Sequence, residues 1–158
     1  MNQELRLYTF VNFYLSSIQQ GIQSAHVTHS LFVKYPTVAD NSILWNWAIV
    51  DKTMIVLNGG AGIDIQKGFS LVEQLGISYK DVSLPYQCFY EDGLSNIMTA
   101  FGVVVPQCFF DAKIATDGSG SWLYEVPDAM SGGILTTYLP NTPEHQFITM
   151  LKSCGLAR

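Results

Sequence analysis

The period of apolar and polar positions changes several times along the chain, and those changes predict its elements. Leu5-Arg6-Leu7-Tyr8-Thr9-Phe10-Val11 alternates and is rich in strand formers, so a first strand is expected to end near Phe13. Ser16 and Ser17 each precede a Gln by three residues, a capping-box pattern that starts a helix. Ile18, Ile22, Ala25, His29 and Phe32 then recur at helical spacing and are expected to form its buried face, with Pro36 ending the helix at about Tyr35. Two apolar runs, 44–50 and 53–57, read as strands divided by Asp51-Lys52, the second being the stronger.

After Asn58-Gly59-Gly60-Ala61-Gly62, Asp64 can cap a helix that buries Ile65, Phe69, Val72 and Leu75, with Gly76 as its terminator. Strands are expected from about Val82 to Tyr90 and from about Met98 to Val105. Gln107 to Leu139 is rich in Gly and Ser and reads as loops with one or two short strands. Thr142-Pro143-Glu144 starts a last helix, with Pro at the first helical position and an acid in the first turn. Phe147, Met150, Leu151 and Cys154 give it a buried face, and Gly155 ends it. This order predicts one α/β domain.

Composition narrows the picture. A chain of 158 residues can bury one sizeable core without disulfide help, and no second domain is expected. Apolar residues make up 48% against 13% charged, so some apolar surface is expected to meet a ligand or another subunit, a homodimer or higher homo-oligomer. There is no run of about 18 uncharged apolar residues, and Glu4 and Arg6 precede only a short strand-like stretch. Neither a membrane span nor a signal peptide is therefore expected. Cys88, Cys108 and Cys154 are odd in number and scattered, which fits a reduced cytoplasm. The net charge of −5 and pI near 4.9 weigh against a polyanionic partner such as tRNA, because only eight Lys and Arg are present and they are spread out.

Two local patterns carry a resemblance. Gly21 to Ser30 resembles the Gly-Lys-x-Ala-Ala-Gln-x-x-His-Ala signature of the type 2 peptidyl-tRNA hydrolases, matching at Gly21, Ala25 and His29. Phe89 to Phe101 is similar to the Phe-x-Glu-Pro-Asp-Leu-x-Asn-x-Leu-Thr-Ala-Ile pattern of smaller relatives that share that fold. The resemblance spans about Leu5 to Pro106 plus the final helix. It implies a mixed four-stranded sheet flanked by helices, commonly a homodimer, and 107–139 is an insert without counterpart in the family. The departures concern chemistry. Ile22 stands where the hydrolases carry Lys, His26 where they carry Gln, Glu91 where they carry Asp, and Ser95 where they carry Thr.

The candidate chemistry gathers at two segments. A ligand site is expected around 21–29, with Gly21, Ile22 and His26 at its surface. His29, on the expected core stripe, reads as a neutral imidazole buried against the sheet. His26, off that stripe, reads equally as a surface histidine and as a general base or ligand donor. Glu91 lies at the end of a predicted strand, where α/β folds place site residues, although acidic turns before Gly are common. With Ser95 or Thr99 it can position water or a substrate hydroxyl, and Asn96 can hold an amide or phosphate oxygen. The turn at 58–62 has N–H groups that could cradle phosphate, but Ile65 breaks the dinucleotide fingerprint and an ordinary turn is the simpler reading. Trp122 and Tyr124 follow a Gly-Ser-Gly-Ser run that resembles the hinge of a lid. No metal site and no cofactor are expected, because His26 and His29 lack a third ligand at helical spacing.

Two functions follow as expectations. One is a protein that binds or sequesters a small polar ligand, a nucleotide by analogy with small phage proteins that capture signalling nucleotides. Its ligand would lie between the His26 helix and the Glu91 loop, under the 107–139 insert. The other is a hydrolase of peptidyl-tRNA or another acyl ester, with Glu91, His26 and Ser95 as its catalytic residues.

Overall fold

The computed structural model describes residues 3–78, 83–126 and 133–157. Strand β1 (Leu5–Val11) pairs in parallel with β2 (Thr53–Asn58) and antiparallel with β4 (Ile97–Pro106), which pairs antiparallel with β3 (Tyr86–Glu91). The result is a mixed four-stranded sheet in the order β2-β1-β4-β3. Helix α1 (Ser17–Lys34) packs on one face of it. Helices α3 (Gly62–Ser78) and α5 (Pro143–Ser153) pack on the other. Alternation along β1 sets the two cores, because Leu5 and Leu7 meet α1 residues such as Leu31 while Tyr8 and Phe10 meet Ile65, Val72 and Phe147. The beginning of the strand predicted at Val82 lies outside the described residues. No described helix is long and apolar enough to cross a membrane.

The limits of α1 follow the predicted cap. The Ser16 side chain accepts from the Gln19 N–H while the Gln19 side chain reaches back to the Ser16 N–H. Its orientation differs from the expected one. The buried residues are Gln20, Gln23, Ser24, Val27 and Leu31, whereas Ile18, Ile22, Ala25 and His29 face solvent, Ile18 with 76% of its surface exposed. Polar groups bury here because the sheet and the loop after β1 offer partners: Ser24 Oγ lies 2.8 Å from Thr9 Oγ1, and Gln20 Nε2 donates to the Leu15 carbonyl at 3.0 Å.

The run at 44–50, expected to be a strand, is helical. It forms α2 (Ser42–Asn46), continuing into one turn of π-helix at Trp47–Asp51. The Asn41 side chain accepts the Leu44 N–H at 3.0 Å, and the two indoles donate to backbone carbonyls, Trp45 to Tyr35 and Trp47 to Thr53. Leu44 and Trp47 thereby bury against Leu5, Leu7 and Val104.

Gly76 does not end α3, which runs on to Ser78. A Cβ there would lie 2.3 Å from the Tyr86 ring and 3.2 Å from the Leu84 carbonyl oxygen, so the glycine lets β3 close on the helix. The described part of the insert holds more regular structure than its composition suggests. A short helix, α4 (Cys108–Asp111), precedes a three-stranded antiparallel sheet of β5 (Lys113–Ile114), β6 (Trp122–Val126) and β7 (Ile134–Tyr138). The Gly-Ser-Gly-Ser run forms the hairpin turn between β5 and β6. Gly118 and Gly120 take positive φ, and the Gly120 carbonyl is 2.8 Å from His145 Nε2 on α5.

The two helix glycines give opposite predictions under urea denaturation. Gly76→Ala is expected to destabilise by about 1–3 kcal/mol through collision with Tyr86. Gly21→Ala, whose Cβ would meet nothing within 4 Å, is expected to stabilise by about 0.5–1 kcal/mol through helix propensity.

Candidate functional site

Because β4 is antiparallel to both β1 and β3, strands β1, β2 and β3 all run the same way and end together at Val11, Asn58 and Glu91. The loops that follow them share one end of the sheet, where α/β folds place their ligands. At that end β4 carries an irregularity. Phe89 pairs with Ala100 and Tyr90 with Met98, leaving Thr99 as an extra residue, a β-bulge. The bulge turns the Thr99 side chain toward α1, and its carbonyl accepts the Asn12 N–H at 3.0 Å.

From Thr99 a chain of hydrogen bonds runs outward. Thr99 Oγ1 donates to Gln23 Oε1 at 2.6 Å, and Gln23 Nε2 donates to Glu91 Oε2 at 2.8 Å. Its direction follows from donor chemistry. A carboxylate only accepts, so the Gln23 amide must turn its NH2 toward Glu91 and its oxygen toward Thr99, which then has to donate. Thr99 and Gln23 are buried, at 1% and 4% exposure, and Glu91 is half-buried at the surface end. The other carboxylate oxygen, Oε1, accepts the Gly93 N–H at 3.4 Å and caps the 3-10 turn Asp92–Leu94.

The turn returns to β4 through Ser95 and Asn96, both left-handed at φ of 59° and 58°. Two successive non-glycine residues in that region carry a cost of about 1–3 kcal/mol each. The Asn96 N–H donates to the Glu91 carbonyl at 3.1 Å, and both side chains are exposed. His26 lies on the exposed flank of α1 with its ring stacked on Phe89, centroids 4.3 Å apart and planes 7° apart. Among the described residues no hydrogen bond joins His26 to Glu91.

The sequence-predicted residues therefore divide. Glu91, Thr99, Ser95 and Asn96 share the loop and bulge at one sheet end, and His26 stacks two residues back along β3 from Glu91. Thr99 is too buried to touch a ligand and acts by holding Gln23. His29 faces solvent instead of the core. Gly21 and Ile22 are exposed on the same helix.

Trp122 and Tyr124 do not join this group. The insert leaves β4 at Pro106, which pairs with Leu5 at the opposite end of the sheet from Glu91. Trp122 Nε1 donates to Thr149 Oγ1 on α5 at 3.1 Å, and Tyr124 packs on the α3 and α5 core, on the face away from α1. The described part of the insert packs on that side and not on His26 and Glu91.

The turn after β2 spends its donors internally: Gly59 N–H to the Val11 carbonyl, Gly60 N–H to Asn58 Oδ1, and Ala61 N–H to Asp64 Oδ2. Little remains there to cradle a phosphate. Sequence reasoning missed Gln23, the middle of the hydrogen-bonded chain. Its signal was a second helical stripe, Gln20, Gln23, Ser24, Val27 and Leu31, running beside the more apolar one.

No protein-family model matches the sequence, and no curated protein matches it either.

A double-mutant cycle measures the buried chain. Gln23→Leu and Thr99→Val are each expected to cost about 1–3 kcal/mol, because each leaves a buried polar partner unpaired. Together they should cost less than the sum by about 1 kcal/mol; strict additivity would mean the two side chains are not coupled.

Proposed function

We propose that this chain binds a small polar ligand rich in N–H donors, such as a nucleoside or nucleotide, against Glu91 at the shared carboxyl end of the strands. The scaffold is taken to be that of the type 2 peptidyl-tRNA hydrolases, and the reading rests above all on the oriented carboxylate. Glu91 is held by Gln23 through Oε2 and so presents acceptor positions in a fixed direction. Asn96 offers an amide beside it, and His26, stacked on Phe89, flanks the site. Phe13 and Tyr14, which follow β1 at the same sheet end, are exposed at 43% and 76% and are aromatic surfaces on which a base can stack. Gly21 and Ile22 line the helix side. An amine-bearing base suits a carboxylate, whereas the acidic chain offers a bare phosphate little.

An acyl-ester hydrolase is the second reading, favoured by the same orientation of Glu91, which suits a carboxylate that takes a proton from water. Binding ranks first because Ile22 stands at the position of the family Lys, so that position offers no cation to an oxyanion, and Ser95 is exposed. The exposed apolar stripe of α1 completes the proposal as a homodimer surface. The helix carries only one formal charge, Lys34, so two copies can pack without opposing like charges.

Thermal shifts with a panel of nucleosides and nucleotides test the binding. At about a hundredfold excess over Kd a true ligand should raise Tm by roughly 5–10 °C, and Glu91→Gln should abolish the rise; no shift with any member contradicts the reading. Turnover of peptidyl-tRNA by the wild type that Glu91→Gln removes would instead establish the hydrolase. Sedimentation tests the dimer: Ile18→Glu should yield monomers, and an unchanged species contradicts that surface.

A further inference from the structure

A cavity of about 480 Å³ opens on the sheet face opposite α1, between α3, α5 and the loop after β2. Its size falls within the range of small-molecule sites. Half-buried Leu71, Met150 and Cys154 give it an apolar lining, and beneath them Phe10 and Phe101, stacked with centroids 4.7 Å apart and planes 9° apart, are buried. At Gly68 a Cβ would lie 2.5 Å from the Phe101 ring, so the glycine lets α3 lie close over that ring.

The rim has the opposite character. Asp64 and Lys67 both line the cavity, three residues apart on α3 and so on one helical face. They do not pair with each other: among the described residues the only ion pair is Arg6 with Glu4. Asp64 uses Oδ2 on the Ala61 N–H and keeps Oδ1 for another donor. A cavity with an apolar lining thus opens between one negative and one positive side chain, a rim that a ligand of a single charge sign would satisfy only in half.

We propose that this cavity binds a free α-amino acid with a large apolar side chain. The ligand ammonium meets Asp64, its carboxylate meets Lys67, and its side chain lies against Leu71 and Met150. Both charges sit on one carbon of such a ligand, with the apolar group attached to the same carbon, matching a two-signed rim beside the apolar lining of Leu71 and Met150. This site is independent of Glu91, which lies on the α1 side of the sheet.

Isothermal titration of the full chain with L-phenylalanine tests it, set against phenethylamine, which lacks the carboxylate, 3-phenylpropionate, which lacks the ammonium, and glycine, which lacks the apolar group. L-phenylalanine is expected to bind, and each truncated analogue to bind at least about tenfold more weakly. Lys67→Gln, a surface change on α3, should weaken L-phenylalanine about tenfold and leave phenethylamine unchanged. Asp64→Asn, which keeps an acceptor for Ala61, should weaken L-phenylalanine and leave 3-phenylpropionate unchanged. Glu91→Gln should leave all these affinities as they are, which separates this site from the nucleoside site. Absence of binding by L-phenylalanine, L-leucine and L-methionine alike would overturn the proposal. So would equal binding of the truncated analogues, or loss of L-phenylalanine binding in Glu91→Gln.

Discussion

The contact between the polar side of α1 and the bulge of β4 is the constraint on which the arrangement of this protein depends. Gln23 is almost fully buried, and an amide in that position must find a donor and an acceptor or cost several kcal/mol. Thr99 supplies the donor and Glu91 the acceptor. Satisfying Gln23 fixes the rotation of the helix, which in turn places Ser24 on Thr9 and Val27 over Gly102, where a Cβ would come within 2.9 Å of the valine. The same rotation sends Ile18, Ile22 and Ala25 outward. An apolar exterior and a polar interior on one helix are therefore a single consequence, and both proposed surfaces of α1 descend from it.

The sheet supplies the other half. Three strands ending at one edge bring the loops after Val11, Asn58 and Glu91 together, and the sheet itself divides that edge into two sides. On the α1 side lies a carboxylate held by an amide. On the α3 side lies a cavity with Asp64 and Lys67 at its rim, which do not pair with each other. The 107–139 insert is anchored near the opposite end through Trp122, Tyr138 and His145.

Much of the fold was legible where local rules decide it. The Ser16 capping box, the Thr142-Pro143 start and the Ile65-Phe69-Val72-Leu75 stripe each determine structure over a few residues, and β1 alternates because one sheet side receives α1 and the other α3 and α5. Residues 44–50 misled because a run of aromatic and β-branched residues satisfies strand propensity, while the deciding groups are the Asn41 cap and two indole N–H donors aimed at distant carbonyls. The face of α1 misled because apolar periodicity says which residues share a side but not whether that side turns inward when the other can be fully hydrogen-bonded. Glu91 was legible as an acid at a strand end; its partner Gln23, 68 residues earlier, was not, because only the folded sheet brings them together. The bulge at Thr99 is likewise a property of the pairing of β3 with β4.

In the proposed site Gln23 orients Glu91 toward the ligand. The side-chain amide resonances of Gln23 report on this directly, through their exchange with solvent and their response to a nucleoside titration. In the free protein these protons should exchange slowly, as expected of a buried, doubly bonded amide, and they should shift when the nucleoside saturates Glu91. Fast exchange, or resonances that stay fixed while the nucleoside binds, would contradict the account.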